Sequence, residues 1–223
     1  MKIKLLIQAC VKFILGLVFI GILLFLPAGT FEYWNAWLFI ALLFIPMFLV
    51  GIILWVKNPQ LLEKRLKNKE KENTQKTVIN VSVIVFIIGF IISGLDFRYE
   101  WSQISIEFVI LGSIMLIISY GLYVEVMREN TYLSRIIEVQ KEQKVIDTGL
   151  YRIVRHPMYF STILLFLSFP IVLGSVFSFI IFLVFPFLLV KRIKNEEEVL
   201  EKELDGYKEY KQKVKYRLIP FIW

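Results

Sequence analysis

Two short stretches hold most of the side chains that could do chemistry. GLYRIVRHPMY (149–159) contains the single histidine, His156, with Arg152 and Arg155 before it and Tyr151 and Tyr159 on either side. KRIKNEEEVL (191–200) sets Arg192 one helical turn ahead of Glu196, and Glu197 and Glu198 follow. Cations, an imidazole and carboxylates gathered in one place suit a zwitterionic ligand. Asp147-Thr148-Gly149 is turn chemistry that leaves backbone open to close approach, which makes Gly149 a candidate contact. Pro157 suits the first turn of a helix, whose orphan N–H groups face anything anionic. Arg155 adds positive charge, and a neutral His156 can serve as a plain donor. Taken singly, these features are ordinary: Arg and His snorkel at membrane entries, and Glu-rich runs line the wet faces of helices. Their conjunction is the signal.

The elements between the two stretches must bring them together. Residues 158–190 are apolar and too long for one crossing, with Gly174 and Ser175 at the centre and Pro170 and Pro186 inside. The block reads as a tight helical hairpin, which returns its ends to neighbouring positions.

Upstream, residues 5–26, 36–56, 78–95 and 104–124 each approach the roughly 20 apolar residues that cross a hydrocarbon core. Over the whole chain 57% of residues are hydrophobic, and the mean hydropathy is +0.67. The apolar run from Ile3 to Leu26 exceeds a signal-peptide core and reads as a retained span. We expect an all-α, polytopic integral membrane protein with five or six transmembrane helices, the C-terminal hairpin among them. A C-terminal amphipathic cytoplasmic helix should follow, with Ile193, Leu200, Leu204 and Tyr207 as its apolar stripe. Residues 1–125 would supply the N-terminal spans and 126–223 the core that holds the site.

The net charge of +7 follows the loops. Seven Lys/Arg fall in 57–76, six in 126–157 and nine from Lys191 onward, against none in 27–35 and only Arg98 in 96–103. By the positive-inside rule both termini and the site face the cytoplasm, and the charge marks topology rather than a nucleic-acid partner. Trp34, Trp37, Trp55 and Trp101 stand at span ends, as interfacial anchors do. One cysteine, Cys10, and one histidine exclude an internal disulfide and argue against a bound metal.

The ordered motifs G-x-Y-x-x-x-R-H-P-x-Y (149–159), R-x-x-x-E-E-x-x-L (192–200) and Y-x-x-Y (207–210) are specific together. Over residues 125–223 the chain resembles the isoprenylcysteine carboxyl methyltransferase family, a membrane group related to the phospholipid N-methyltransferases. The resemblance implies a methyltransferase that uses S-adenosylmethionine (SAM) and acts on a lipophilic or lipid-linked acceptor. By motif position, Gln143, Lys144, Val145 and Ile146 match the segment bordering the adenosyl part. Eukaryotic members usually have His-x-Leu-Val there. Tyr151, His156, Pro157 and Tyr159 match the cofactor-binding turn and helix entry, and Glu196 matches the cofactor-contacting carboxylate. Arg192 matches the arginine that holds a substrate carboxylate. A carboxylate acceptor is already ionised at neutral pH and needs no base, whereas an amine does, and Glu197 is the candidate. Membrane sterol reductases share a related core and bind NADPH, and a non-catalytic scaffold would bind neither ligand.

Reporter fusions after Trp223 and within 57–76 should both report cytoplasm. A signal from the opposite side for the tail would separate the two halves of the site.

Overall fold

In lipid every backbone N–H and C=O must be satisfied internally, and the apolar stretches meet that demand as helices. The computed structural model describes residues 2–66, 73–134 and 136–223, so Lys67, Lys69 and Lys71 of the basic loop, and Arg135, lie outside the described residues. The helices are α1 (Lys2–Ala28), α2 (Trp34–Lys57), α3 (Pro59–Leu66), α4 (Asn73–Tyr99), α5 (Ile106–Glu129), α6 (Pro157–Val172), α7 (Val176–Phe182), α8 (Val184–Glu203) and α9 (Tyr207–Lys213). One 3₁₀ turn, Gly149–Arg152, precedes α6. Among the described residues the regular structure is all helical.

Among the described residues five stretches are long and apolar enough to cross a membrane: α1, α2, α4, α5 and the joined α7–α8 arm, Val176–Glu203. Helix α6 has 16 residues, a length of about 24 Å at helical rise. Its far end is tied to the ends of α2 and α4. The Tyr33 hydroxyl donates to the Leu173 carbonyl (2.6 Å), and the Asn35 amide donates to that of Val172 (2.9 Å). Buried Asp96 accepts from the Ser102 N–H (2.7 Å) and from the Ser102 and Ser175 hydroxyls. Gly174 makes the turn at φ +75°, a conformation that favours glycine.

The returning arm breaks at Leu183. Pro186 lacks the N–H that would bond the Phe182 carbonyl, and its ring crowds that carbonyl, so α7 stops there and α8 begins at Val184. From there α8 continues past the apolar block without interruption to Glu203. The amphipathic helix expected after residue 190 is therefore the continuation of the hairpin's second arm. Its buried stripe is Phe185, Leu189, Ile193 and Glu197, at i,i+4 spacing. Two residues of the expected stripe leave the helix: Leu204 is already extended, and Gly206 (φ +82°) turns the chain so that Tyr207 opens α9. The basic loop also contains α3, unforeseen from sequence, with Leu61 and Leu62 buried and the Asn58 side chain capping Leu61 N–H (3.1 Å).

The hairpin packs into the spans before it, α6 along α5 and α7–α8 along α4. An aromatic core of Phe39, Phe86, Phe90, Phe169, Phe182 and Phe185 fills the centre. Helices approach closely at small residues, as packing in lipid requires. At Gly94 of α4 an added Cβ would lie 2.5 Å from the Leu24 carbonyl oxygen of α1, a backbone atom that cannot swing aside. Gly94→Ala should cost about 1–3 kcal/mol through overpacking. Gly121→Ala, where a Cβ meets nothing within 4 Å, should be neutral. Thermal unfolding in detergent reads the difference.

Candidate active site

The N-terminal end of α6 and the C-terminal half of α8 meet as a hairpin demands, and the chain after α9 locks them together. The N–H groups of Arg155 and His156 donate to the carbonyls of Tyr216 and Arg217, both at 2.9 Å. Glu197, last in the buried stripe of α8, lies at the junction with its side chain 3% exposed. One carboxylate oxygen accepts from Arg155 Nε (2.7 Å) and lies 3.2 Å from His156 Nε2. The other accepts from Arg217 Nε (2.8 Å). Arg155 also donates to the carbonyls of Val214 (2.7 Å) and Lys215 (2.8 Å). A carboxylate buried this deeply is tolerated because charged, geometrically complete partners surround it. Arg217 stacks over Trp223, whose carbonyl accepts from the N–H groups of residues 217–219.

A cleft opens beside this clamp. Arg155, His156, Tyr159, Arg192 and Glu196 line one part of it. Here the Tyr159 hydroxyl joins two of the expected site residues, donating to Glu196 and accepting from Arg192 Nε (2.9 Å). Arg192 and Glu196 thus share one hydroxyl and do not act as separate groups. Buried Gln75 of α4 pins α8 at this level, donating to the Asn195 side chain (2.5 Å) and the Arg192 carbonyl (3.4 Å).

Gln143, Lys144, Val145, Ile146 and Tyr151 line the cleft as well. Gly149, Pro157 and Glu197 stand outside its lining, and Arg152 is exposed. The Gly149 conformation (φ +52°) has a local reason: a Cβ there would lie 2.5 Å from the Glu129 carboxyl, which accepts from Thr148 (2.7 Å). Pro157 opens α6 as its N1 residue.

Two parts of the lining had no place among the expected site residues. The chain after α5 contributes Asn130, Tyr132, Ser134, Ile136 and Ile137, a stretch without motif character. Leu200, Leu204, Tyr207 and Tyr210 form an apolar and aromatic wall. The second was signalled by the Y-x-x-Y spacing and the Asp205-Gly206 turn before it. Tyr210 donates to the Tyr151 carbonyl (2.7 Å), and the Asn130 amide donates to the Tyr151 hydroxyl (3.0 Å), so this wall is tied to the 3₁₀ turn.

With the geometry in hand, the comparison with known proteins is specific. Residues 108–205 match the phospholipid methyltransferase family model. The match runs from α5 to the turn after α8 and takes in the cleft's charged residues, while the first three spans and the tail lie outside it. That family is one of membrane methyltransferases related to the isoprenylcysteine carboxyl methyltransferases. No curated protein matches the chain.

Removing Glu197 strands Arg155 and Arg217 without their counter-charge and His156 without its partner. Glu197→Ala should cost about 3–5 kcal/mol, the usual penalty for breaking a buried pair from one side. Exposed Glu198→Ala should stay within about 0.5 kcal/mol. Thermal unfolding of the two purified variants checks both.

Proposed function

We propose that the protein is an integral membrane, SAM-dependent methyltransferase whose acceptor arrives from the bilayer. The observation that carries this reading is the composition of one cleft at the open end of the hairpin. Its charged part brings Arg155, His156 and Glu196 together, a donor and acceptor set that fits an amino-acid zwitterion. Its apolar part, with Val145, Leu200 and Leu204, fits a nucleoside. The family match to residues 108–205 supports the same chemistry.

In this reading Arg155 and His156 hold the methionyl carboxylate, and Glu196 balances the ammonium or binds ribose hydroxyls. Bound SAM supplies an activated methyl group, whose C–S bond breaks as the bond to the acceptor forms, leaving a neutral thioether. For a carboxylate acceptor no proton moves. Arg192 then orients the nucleophile through its planar fork, with Tyr159 fixing the guanidinium. The walls after α5 exclude water and hold the partners in line. Glu197, the base anticipated for an amine acceptor, is outside the cleft lining and engaged by two arginines and the His156 ring. We assign it to positioning Arg155 and His156.

A second reading has specific support. The matched family is named for phospholipids, and a phospholipid amine needs a base within the cleft. Glu196 is the carboxylate that lines it and would take that role.

The test uses purified protein in nanodiscs with methyl-labelled SAM, supplied with an S-alkylated cysteine carboxylate or with phosphatidylethanolamine. We expect SAM and not NADPH to bind, and label to appear as an alkali-labile methyl ester. Arg192→Lys should retain SAM binding within a few-fold and lose at least about tenfold in turnover, since small misplacements of a nucleophile are costly. Alkali-stable label in the lipid would establish the amine reading instead. NADPH binding without SAM binding would overturn both.

A further inference from the structure

The buried tyrosine hydroxyls provide an internal comparison. Tyr33 donates to the Leu173 carbonyl, Tyr151 accepts from Asn130, Tyr159 bridges Arg192 and Glu196, and Tyr210 donates to the Tyr151 carbonyl. Tyr207 differs. It is 4% exposed, its hydroxyl is sealed from solvent, and that hydroxyl has no hydrogen-bond partner among the described residues. A buried hydroxyl without a partner costs free energy, which a Phe of the same shape would avoid. The phenol stays neutral and able to donate, because burial, and then the charges of Glu197 and Glu196, push its pKa well above the ordinary tyrosine value.

The setting of Tyr207 says what could use the group. Its ring lines the cleft and packs with Leu204, Val145 and Leu200. The Asp205-Gly206 turn holds it there, with Gly206 in the left-handed region and the Tyr207 N–H bonded to the Leu204 carbonyl (3.2 Å). The groups with charge and hydrogen-bonding capacity for a methionyl zwitterion are other residues: Arg155, His156, Tyr159 and Glu196. An apolar wall with a single unused hydroxyl fits a flat heteroaromatic base and its ribose. Tyr207 also lies beyond the stretch that matches the family model, which ends at residue 205.

We propose that the Tyr207 hydroxyl is a specificity contact for the nucleoside part of the methyl donor, making one hydrogen bond to the base or ribose. The assignment rests on the SAM-binding reading above and deepens it. The contact forms only with ligand, so the ligand-free protein carries the cost of the unpaired hydroxyl.

Tyr207→Phe separates this from a structural role. Affinities for SAM and for 5′-methylthioadenosine, which keeps the nucleoside and lacks the amino-acid end, are measured on full-length protein in detergent. Unfolding temperature is recorded without ligand. We expect Tyr207→Phe to weaken both ligands by the same factor, about five- to tenfold, while the ligand-free unfolding temperature stays unchanged or rises. His156→Ala should weaken SAM more than methylthioadenosine. Parent-like affinity in Tyr207→Phe overturns the contact, as does a loss confined to SAM. A fall in ligand-free stability makes Tyr207 structural and overturns it too. If the parent protein binds neither ligand, the methyl-donor reading itself fails, a result distinct from each of these.

Discussion

The buried carboxylate of Glu197 is the constraint on which the site-bearing half of the molecule depends. Burying a charge is costly unless it is paired and hydrogen-bonded, so α8 can bring Glu197 inward only if its partners come with it. Arg155 and His156 arrive on the turn into α6, and Arg217 on the tail. Three segments far apart in sequence are thereby held at one point. The same contacts fix the side chains that face the cleft, since Arg155 and His156 both line it while bound to Glu197 behind it. A site needs such support to hold its geometry.

The far end of the hairpin repeats the device with different chemistry. Asp96, also buried, has no cation in the contacts described and is met by serine hydroxyls and one backbone N–H. Hydrogen bonds of this kind act as glue between helices in lipid, where apolar packing alone gives little preference for protein over tails. Each end of the hairpin is thus strapped by one buried acid, and the phenylalanine-rich centre fills the space between. Gly89 shows how tightly it is filled: a Cβ there would lie 2.2 Å from the Phe182 ring.

The hairpin was legible because its period, its central Gly-Ser and its length allowed little else, and the meeting of its two polar ends followed from topology. Which of three consecutive glutamates is buried was also written in the sequence, in the i,i+4 series from Phe185 to Glu197. A hydropathy reading treats those glutamates alike and misses it. The stripe through Leu204 and Tyr207 was misplaced because periodicity was followed across Asp205-Gly206, where turn chemistry prevails. The pairing of residues 155–156 with 216–217 uses backbone groups on both sides and so leaves no side-chain signature. The wall after α5 was invisible for a related reason: ordinary residues line the cleft there because the chain passes close by.

The uninterrupted run of α8 out of the apolar block makes the arm a ruler. Arg192 and Glu196 stand on one rigid rod, so their heights above the apolar zone cannot vary independently. Counting from Val190, the last apolar residue before the charges, helical rise puts Arg192 about 3 Å and Glu196 about 9 Å further along the axis. If Arg192 meets the acceptor, as the proposed function has it, a bilayer-borne molecule whose reactive group extends too little from its tail would stop short of the first mark. One with a long polar spacer would overshoot it. Under the proposed function the arm would grade candidates by the distance between greasy anchor and reactive atom, before their chemistry is tested at all.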